Sequence, residues 1–235
     1  MKFMSLISRG PGQDAAAFHQ WFLNEHAPAV LKQIPRLAHY IVNVNDVAPD
    51  FGAGQPLPTA PVIYDVVTEM WAEPANASEE AAALYQATID PVVQQSLRSR
   101  AATCHSYLVA DAVEKDAQTF QLGRRAPGVN LVSAITWGEG KTAEQGRQGW
   151  RNHGPLACRV HVGMTRYVRN VVEQALTPGA PAYNGIAMLY FPTLPDLEQR
   201  LYDSPPNVEV IAKDVAGFVN LEKIVTFYTS QHVLK

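Results

Sequence analysis

Two histidines, His26 and His153, stand in matching surroundings. Asn24-Glu25-His26-Ala27-Pro28 is followed by Tyr40 and Asn43, and Asn152-His153-Gly154-Pro155 by Tyr167 and Asn170. Each histidine leads its tyrosine by 14 residues and its asparagine by 17. An imidazole with an unperturbed pKa of about 6.5 takes up and returns a proton near neutral pH, which suits general acid–base catalysis. A phenol on the following strand, Tyr40 or Tyr167, donates to a substrate oxygen as it gathers charge. Each has a plainer reading: a buried imidazole bonded to the carbonyl that the proline leaves free, and an aromatic core residue with its hydroxyl at the edge. Glu69 lies midway along an otherwise apolar stretch. Facing into a barrel its pKa would be raised and it could shuttle protons; facing outward it would be an ordinary solvated carboxylate. His39, His105 and His161 could enlarge either site. No His/Cys/Asp/Glu grouping has the spacing of a zinc site, and Gly10 and Gly12 lack the rest of a nucleotide loop, so neither metal nor cofactor is expected.

The elements that must position these side chains occur twice. Lys2-Phe3-Met4-Ser5-Leu6-Ile7 lies over Asn130-Leu131-Val132-Ser133-Ala134-Ile135, and Arg9-Gly10-Pro11-Gly12 over Trp137-Gly138-Glu139-Gly140. One deleted residue then brings His26 onto His153, Tyr64-Asp65-Val66-Val67 meets Tyr183-Asn184-Gly185-Ile186, and Leu84-Tyr85 meets Leu201-Tyr202. The first half predicts a strand over 3–8, a helix from Ala15 capped by Asp14 and bent at Pro28, and strands over 37–44, 62–71 and 105–113, with helices over 78–87 and 91–98. Residues 45–61, rich in Asp, Gly and Pro, read as a long exposed loop. The second half repeats the order: strand 129–137, helix 142–159, strands 164–171 and 183–191, helices 194–202 and 207–214, and strand 221–228.

Strand-helix-strand-strand-helix-strand is the ferredoxin-like βαββαβ unit. One unit leaves a sheet face uncovered, and two in one chain can pack their sheets as an intramolecular α+β barrel. The expected fold class is therefore α+β, with a first repeat over 1–116, a linker over 117–128 and a second repeat over 129–235.

Composition narrows the field. In 235 residues, 47% hydrophobic, there is material for a buried core, and a net charge of −3 without any Lys/Arg run argues against nucleic acid or an anionic membrane as partner. Cys104 and Cys158 fit no disulfide scaffold, the N-terminal apolar run is too short for a signal peptide, and no stretch reaches transmembrane length. A cytoplasmic protein acting on a small hydrophobic molecule is expected, with a homodimer beyond the internal pairing left open.

Phe18-x-x-Trp21-Phe22-x-x-x-His26-Ala27-Pro28, then Pro35, Tyr40 and the Tyr64-Asp65-x-x-x-Glu69-x-Trp71 strand, resembles the EthD family of the dimeric α+β barrel superfamily. The second half resembles it more loosely, through His153, Pro155, Tyr167, Tyr183-Asn184-Gly185 and Asp214 to Phe218. The resemblance implies the barrel fold and a site built from His26, Tyr40, Glu69, His153 and Tyr167. Substrate would lie against Arg9, Trp21, Phe22, Asn43, Trp71, Trp150 and Asn170. The second copy departs from the pattern: Met188 falls on Glu69, Trp137 on Arg9, and Gln148-Gly149 on Trp21-Phe22 with Trp150 one place later. The first copy is therefore the expected principal site.

The superfamily holds cyclases, isomerases, cofactor-free monooxygenases and haem-binding proteins, so the fold does not choose the reaction. The leading expectation is a cofactor-independent lyase, cyclase or isomerase acting on a hydrophobic carbonyl or aromatic compound. A cofactor-free monooxygenase or accessory oxidoreductase in ether or aromatic breakdown is the alternative, and a non-catalytic ligand-binding module the third.

Overall fold

The computed structural model describes residues 2–34, 37–52, 64–72 and 91–235. The helix expected over 78–87 and most of the loop expected over 45–61 lie outside the described residues. In the first unit, β1 (Lys2–Arg9) leads into α1 (Ala15–Trp21), a π-helical turn (Phe22–His26) and α2 (Ala27–Gln33). β2 (Leu37–Val44), β3 (Val66–Ala72), α3 (Pro91–Arg98) and β4 (Ala101–Asp116) follow. A two-residue strand β5 (Arg124–Arg125) lies within the segment expected to be a linker. The second unit comprises β6 (Val129–Ile135), α4 (Ala143–Val160), β7 (Arg166–Ala175), β8 (Gly185–Phe191), α5 (Leu194–Arg200), α6 (Pro205–Ala216) and β9 (Val225–Val233). The last strand starts later than expected, because Leu221–Lys223 is a 3₁₀ turn whose cap, Asn220, accepts from the Glu222 N–H.

All strand pairings are antiparallel, in the order β2-β3-β1-β4-β7-β8-β6-β9, and β2 pairs with β9 to close the barrel. The two seams are equivalent: the fourth strand of each unit (β4, β9) pairs with the second strand of the other (β7, β2). Closure leaves none of these eight strands as a free edge.

Period-two alternation then sorts the side chains. Met4, Leu6, Val67, Tyr107, Val132 and Met188 fill the barrel. The opposite face of the first unit's sheet, including Phe3, Ile7 and Tyr40, packs under Phe18, Phe22 and Val30 of the helices. In the second unit Leu131, Tyr167 and Leu189 pack under Trp150 and Ala157. There are thus three apolar layers, with the histidine-bearing helices outside the barrel. None of the described helices is long and apolar enough to cross a membrane.

The single-residue offset between the halves has a physical seat. The helix caps Asp14 and Thr142 are 128 residues apart, but His26 and His153 are 127 apart, so the first unit carries one extra residue between cap and histidine. A π-helical turn is how a helix absorbs one extra residue, and Phe22–His26 is such a turn, with the Ala27 N–H reaching back to the Phe22 carbonyl. Placing the extra residue there sets Phe22, not Gly149, against Trp150. This corrects the match made from sequence.

Candidate functional site

The second unit has a cleft between helix and sheet that is larger than the one at His26. Thr142 starts α4 with a reciprocal cap, its hydroxyl accepting from the Gln145 N–H and the Gln145 side chain accepting from the Thr142 N–H. Glycines let bulky partners close on this helix. A Cβ at Gly185 would collide with the Trp150 ring, and one at Gly149 would sit 2.5 Å from Phe218 Cβ. Trp150, held in this way, donates from Nε1 to the Tyr167 hydroxyl at 2.8 Å. His153 follows one turn later, on the same side of the helix. Its Nδ1 lies 2.7 Å from Asp214 Oδ2 on α6, and its ring packs 5.5 Å from that of Phe218. His161, the C-cap of α4, places Nδ1 2.5 Å from the Leu201 carbonyl. Trp150, His153, His161, Tyr167 and Phe218 line a cavity of about 100 Å³, and none of the described residues in its wall is Lys, Arg, Asp or Glu.

A carboxylate only accepts, so the hydrogen of His153 sits on Nδ1 and the lone pair on Nε2. Burial lowers the His153 pKa, opposed by the hydrogen bond and charge of Asp214 and assisted by the Arg169 guanidinium. Burial likewise lowers His161 to about 4. Both imidazoles are therefore neutral near pH 7 and ready to accept. Tyr167 is pushed up by burial, and because its oxygen accepts from Trp150 its own proton remains to be donated.

In the first unit His26 lines a smaller cleft of about 40 Å³ with Phe22, Thr68, Met70 and Leu97. Its ring packs, tilted, 4.8 Å from that of Phe22 and 5.3 Å from that of Trp21, and its Nδ1 is 3.4 Å from the Ser96 hydroxyl. Burial lowers its pKa to about 4. Tyr40 is fully buried in the adjoining core, where burial raises its pKa.

The remaining expected site residues lie elsewhere. Tyr40 and Asn43 are three apart on one strand, hence on opposite faces, and so are Tyr167 and Asn170. Glu69 points into the barrel, where Lys2 Nζ donates at 2.6 Å both to its Oε2 and to Asn170 Oδ1. Asn43 donates to Glu69 Oε1 at 2.9 Å and accepts from Asn130 and Gln231. The Lys2 ammonium also lies 4.5 Å over the Trp71 ring. Burial alone would raise the Glu69 pKa, as expected from sequence. The ammonium of Lys2, the Arg166 guanidinium and the bonds from Lys2 and Asn43 outweigh it, so the pKa is lowered and Glu69 stays ionised. That corrects the expectation of a proton shuttle. Arg9 pairs with Asp65 at the end of β1 and takes no part in the His26 cleft. Among the described residues, no three His, Cys, Asp or Glu side chains are grouped so as to hold a metal.

The model of the EthD domain matches this chain over residues 10–119 and again over 138–222. The chain belongs to the EthD family. Solved structures similar to this EthD protein share its whole fold at very low identity. An anthrone oxidase-like protein aligns with a TM-score of 0.65 at 9% identity, covering 99% of this chain and 92% of that one. A candidate monooxygenase from Fusobacterium nucleatum subsp. nucleatum ATCC 25586 gives 0.56 at 6%, covering 100% and 92%. Another from Lactobacillus acidophilus NCFM gives 0.54 at 7%, covering 100% and 95%. No curated protein sequence matches the chain. Lys2 and the pairing role of Asp214 were missed from sequence. Lys2 is 67 positions from Glu69, and only the looser family match had pointed to the segment holding Asp214.

Proposed function

We propose that the second-unit cavity is an active site for proton transfer on a small, neutral carbonyl or phenolic compound, with His153 as the general base. The observation that carries this is the 2.7 Å contact of His153 with Asp214 at the wall of an apolar cavity. Asp214 holds the ring and its tautomer, leaving Nε2 for the substrate. Nε2 takes a proton from the carbon beside a carbonyl, or from a phenol O–H, and the electron pair settles on the substrate oxygen. Tyr167 donates its hydrogen there, and the apolar wall strengthens that bond. Return of the proton at another carbon is an isomerisation, loss of a group from the β carbon an elimination, and attack on a second carbonyl a cyclisation. None of these needs an oxidant or reductant. The lining formed by the described residues is apolar and without a cation, which favours a neutral substrate.

A second reading uses the same geometry. An enolate or phenolate kept from bulk water is also the electron-rich species that reacts with oxygen, and the similar folds include proteins described as monooxygenases and as anthrone oxidase-like. Oxygen uptake on adding substrate separates the two. The two matched EthD segments fit a tandem duplication in which the second copy carries the His–Asp pair. The free thiols Cys104 and Cys158 suit a reducing cytoplasm.

The direct test is hydrogen–deuterium exchange into neutral monocyclic ketones and phenols in heavy water, followed by NMR. Wild-type protein is expected to speed exchange at carbon and His153→Gln to abolish it. Equal rates with the two proteins, or with none, defeat the proposal.

A further inference from the structure

The cavity beside His153 holds a second imidazole that the proton transfer does not use. His161 ends α4, its backbone N–H bonded to the Ala157 carbonyl at 2.9 Å and its Nδ1 2.5 Å from the Leu201 carbonyl. A carbonyl only accepts, so Nδ1 carries the hydrogen and Nε2 the lone pair. Both imidazoles of this cavity thus have Nδ1 committed to a protein acceptor and Nε2 left as an acceptor for whatever enters. Both rings line this one cavity. A ligand that fills the cavity displaces water from both acceptors, and one that donates to only one of them leaves the other unpaired. The space of about 100 Å³ and the rings of Trp150, Tyr202 and Phe218 suit one flat ring without charge.

From this arrangement we infer that the substrate is a neutral single-ring compound with two hydroxyl donors, of the dihydroxybenzene class. One hydroxyl serves the reaction at His153, and the second donates to His161 Nε2. His161 is then the specificity-determining residue of the cavity. The inference rests on the reading of this cavity as the active site, but its test is independent of turnover.

Calorimetric titration with resorcinol, catechol, hydroquinone, phenol and anisole is the experiment. For wild-type protein the best dihydroxybenzene is expected to bind about 3- to 10-fold tighter than phenol, the worth of one added neutral hydrogen bond. His161→Asn keeps an N–H for the Leu201 carbonyl and removes the Nε2 acceptor, so that advantage should vanish. Equal affinity for phenol and all three dihydroxybenzenes overturns the inference, as does an advantage that survives in His161→Asn, or no binding of any probe. Should that variant not fold, the ¹⁵N shift of His161 Nε2 in wild-type protein decides. It must move with the dihydroxybenzene and not with phenol, and the same response to both overturns the inference. Deuterium exchange that is indifferent to His153→Gln would defeat the proton-transfer reading and leave this preference standing. Lack of the preference would end the inference and leave proton transfer intact.

Discussion

His153 Nδ1 and Asp214 Oδ2 lie 2.7 Å apart, whereas among the described residues the polar partner of the matching His26 is the Ser96 hydroxyl, at 3.4 Å. Two imidazoles in equivalent places on equivalent helices thus have different partners. A carboxylate fixes the tautomer and supports the positive charge that a base acquires in taking a proton. A hydroxyl at the limit of hydrogen-bond distance does neither well. The first unit keeps more of the family's aromatic pattern, yet the second has the better-equipped histidine.

Asp214→Asn should therefore lower turnover about 10- to 100-fold, the usual cost of losing the group that orients a functional histidine. It should also move the pH profile. His153 works neutral, so activity falls as pH drops through its pKa. Burial lowers that pKa and the Asp214 carboxylate opposes the lowering. Without the carboxylate the acid limb must shift to lower pH. Profiles of rate against pH for both proteins check this, and an unmoved limb would count against the pairing.

The buried histidines also tie stability to pH. His26 and His161 are each held to about 4 by burial, against about 6.5 in an unfolded chain. Between those values the unfolded chain binds more protons, so the stabilisation is fully present above pH 6.5 and lost as pH falls toward 4. The loss is on the order of 3 kcal/mol per imidazole. Urea midpoints taken from pH 7 to 4.5 should fall less steeply for His26→Gln than for wild-type protein. Parallel curves would show that His26 is already protonated or open to solvent in the folded state.

How far such detail was legible in the sequence depended on its range. Local signals carried well: Asp14 caps the first helix and β2 falls on 37–44, both as expected. The three-residue step from Tyr40 to Asn43 already implied opposite faces once both were on a strand. The histidine, tyrosine and asparagine therefore could not share one cleft. Lys2 and Glu69 were another matter, since it takes the long-range pairing of β1 with β3, and the β4–β7 seam between the units, to bring Glu69 and Asn170 around one ammonium. The extra residue before His26 was visible as an offset, but its form as a π turn was not, because a loop insertion would give the same count.

Lys2 and Glu69 are each wholly buried and paired at 2.6 Å, so removing one leaves the other charged in the barrel core. Lys2→Met should cost about 3–5 kcal/mol, whereas replacing both partners with apolar side chains should be far milder. The second unit shows the apolar choice already, with Met188 at the position matching Glu69. Denaturant unfolding of Lys2→Met, Glu69→Met and the double variant checks this. A double variant as unstable as the sum of the singles would contradict a paired, structural role.

Gly185 tests how the cavity wall is assembled. A Cβ there would collide with the six-membered ring of Trp150. The ring has little freedom to retreat, since Nε1 is bonded to the Tyr167 hydroxyl and the Arg169 guanidinium lies 5.6 Å from the ring. Gly185→Ala should therefore displace Trp150, break its bond to Tyr167 and cost about 1–3 kcal/mol, the range for overpacking a filled core. Trp150→Phe shortens the ring that the new methyl meets, so the double variant should be more stable than the sum of the two losses predicts. Thermal unfolding of the four proteins completes the cycle. Strict additivity would mean that Gly185 and Trp150 do not depend on each other, and that the placement of Tyr167 has another source.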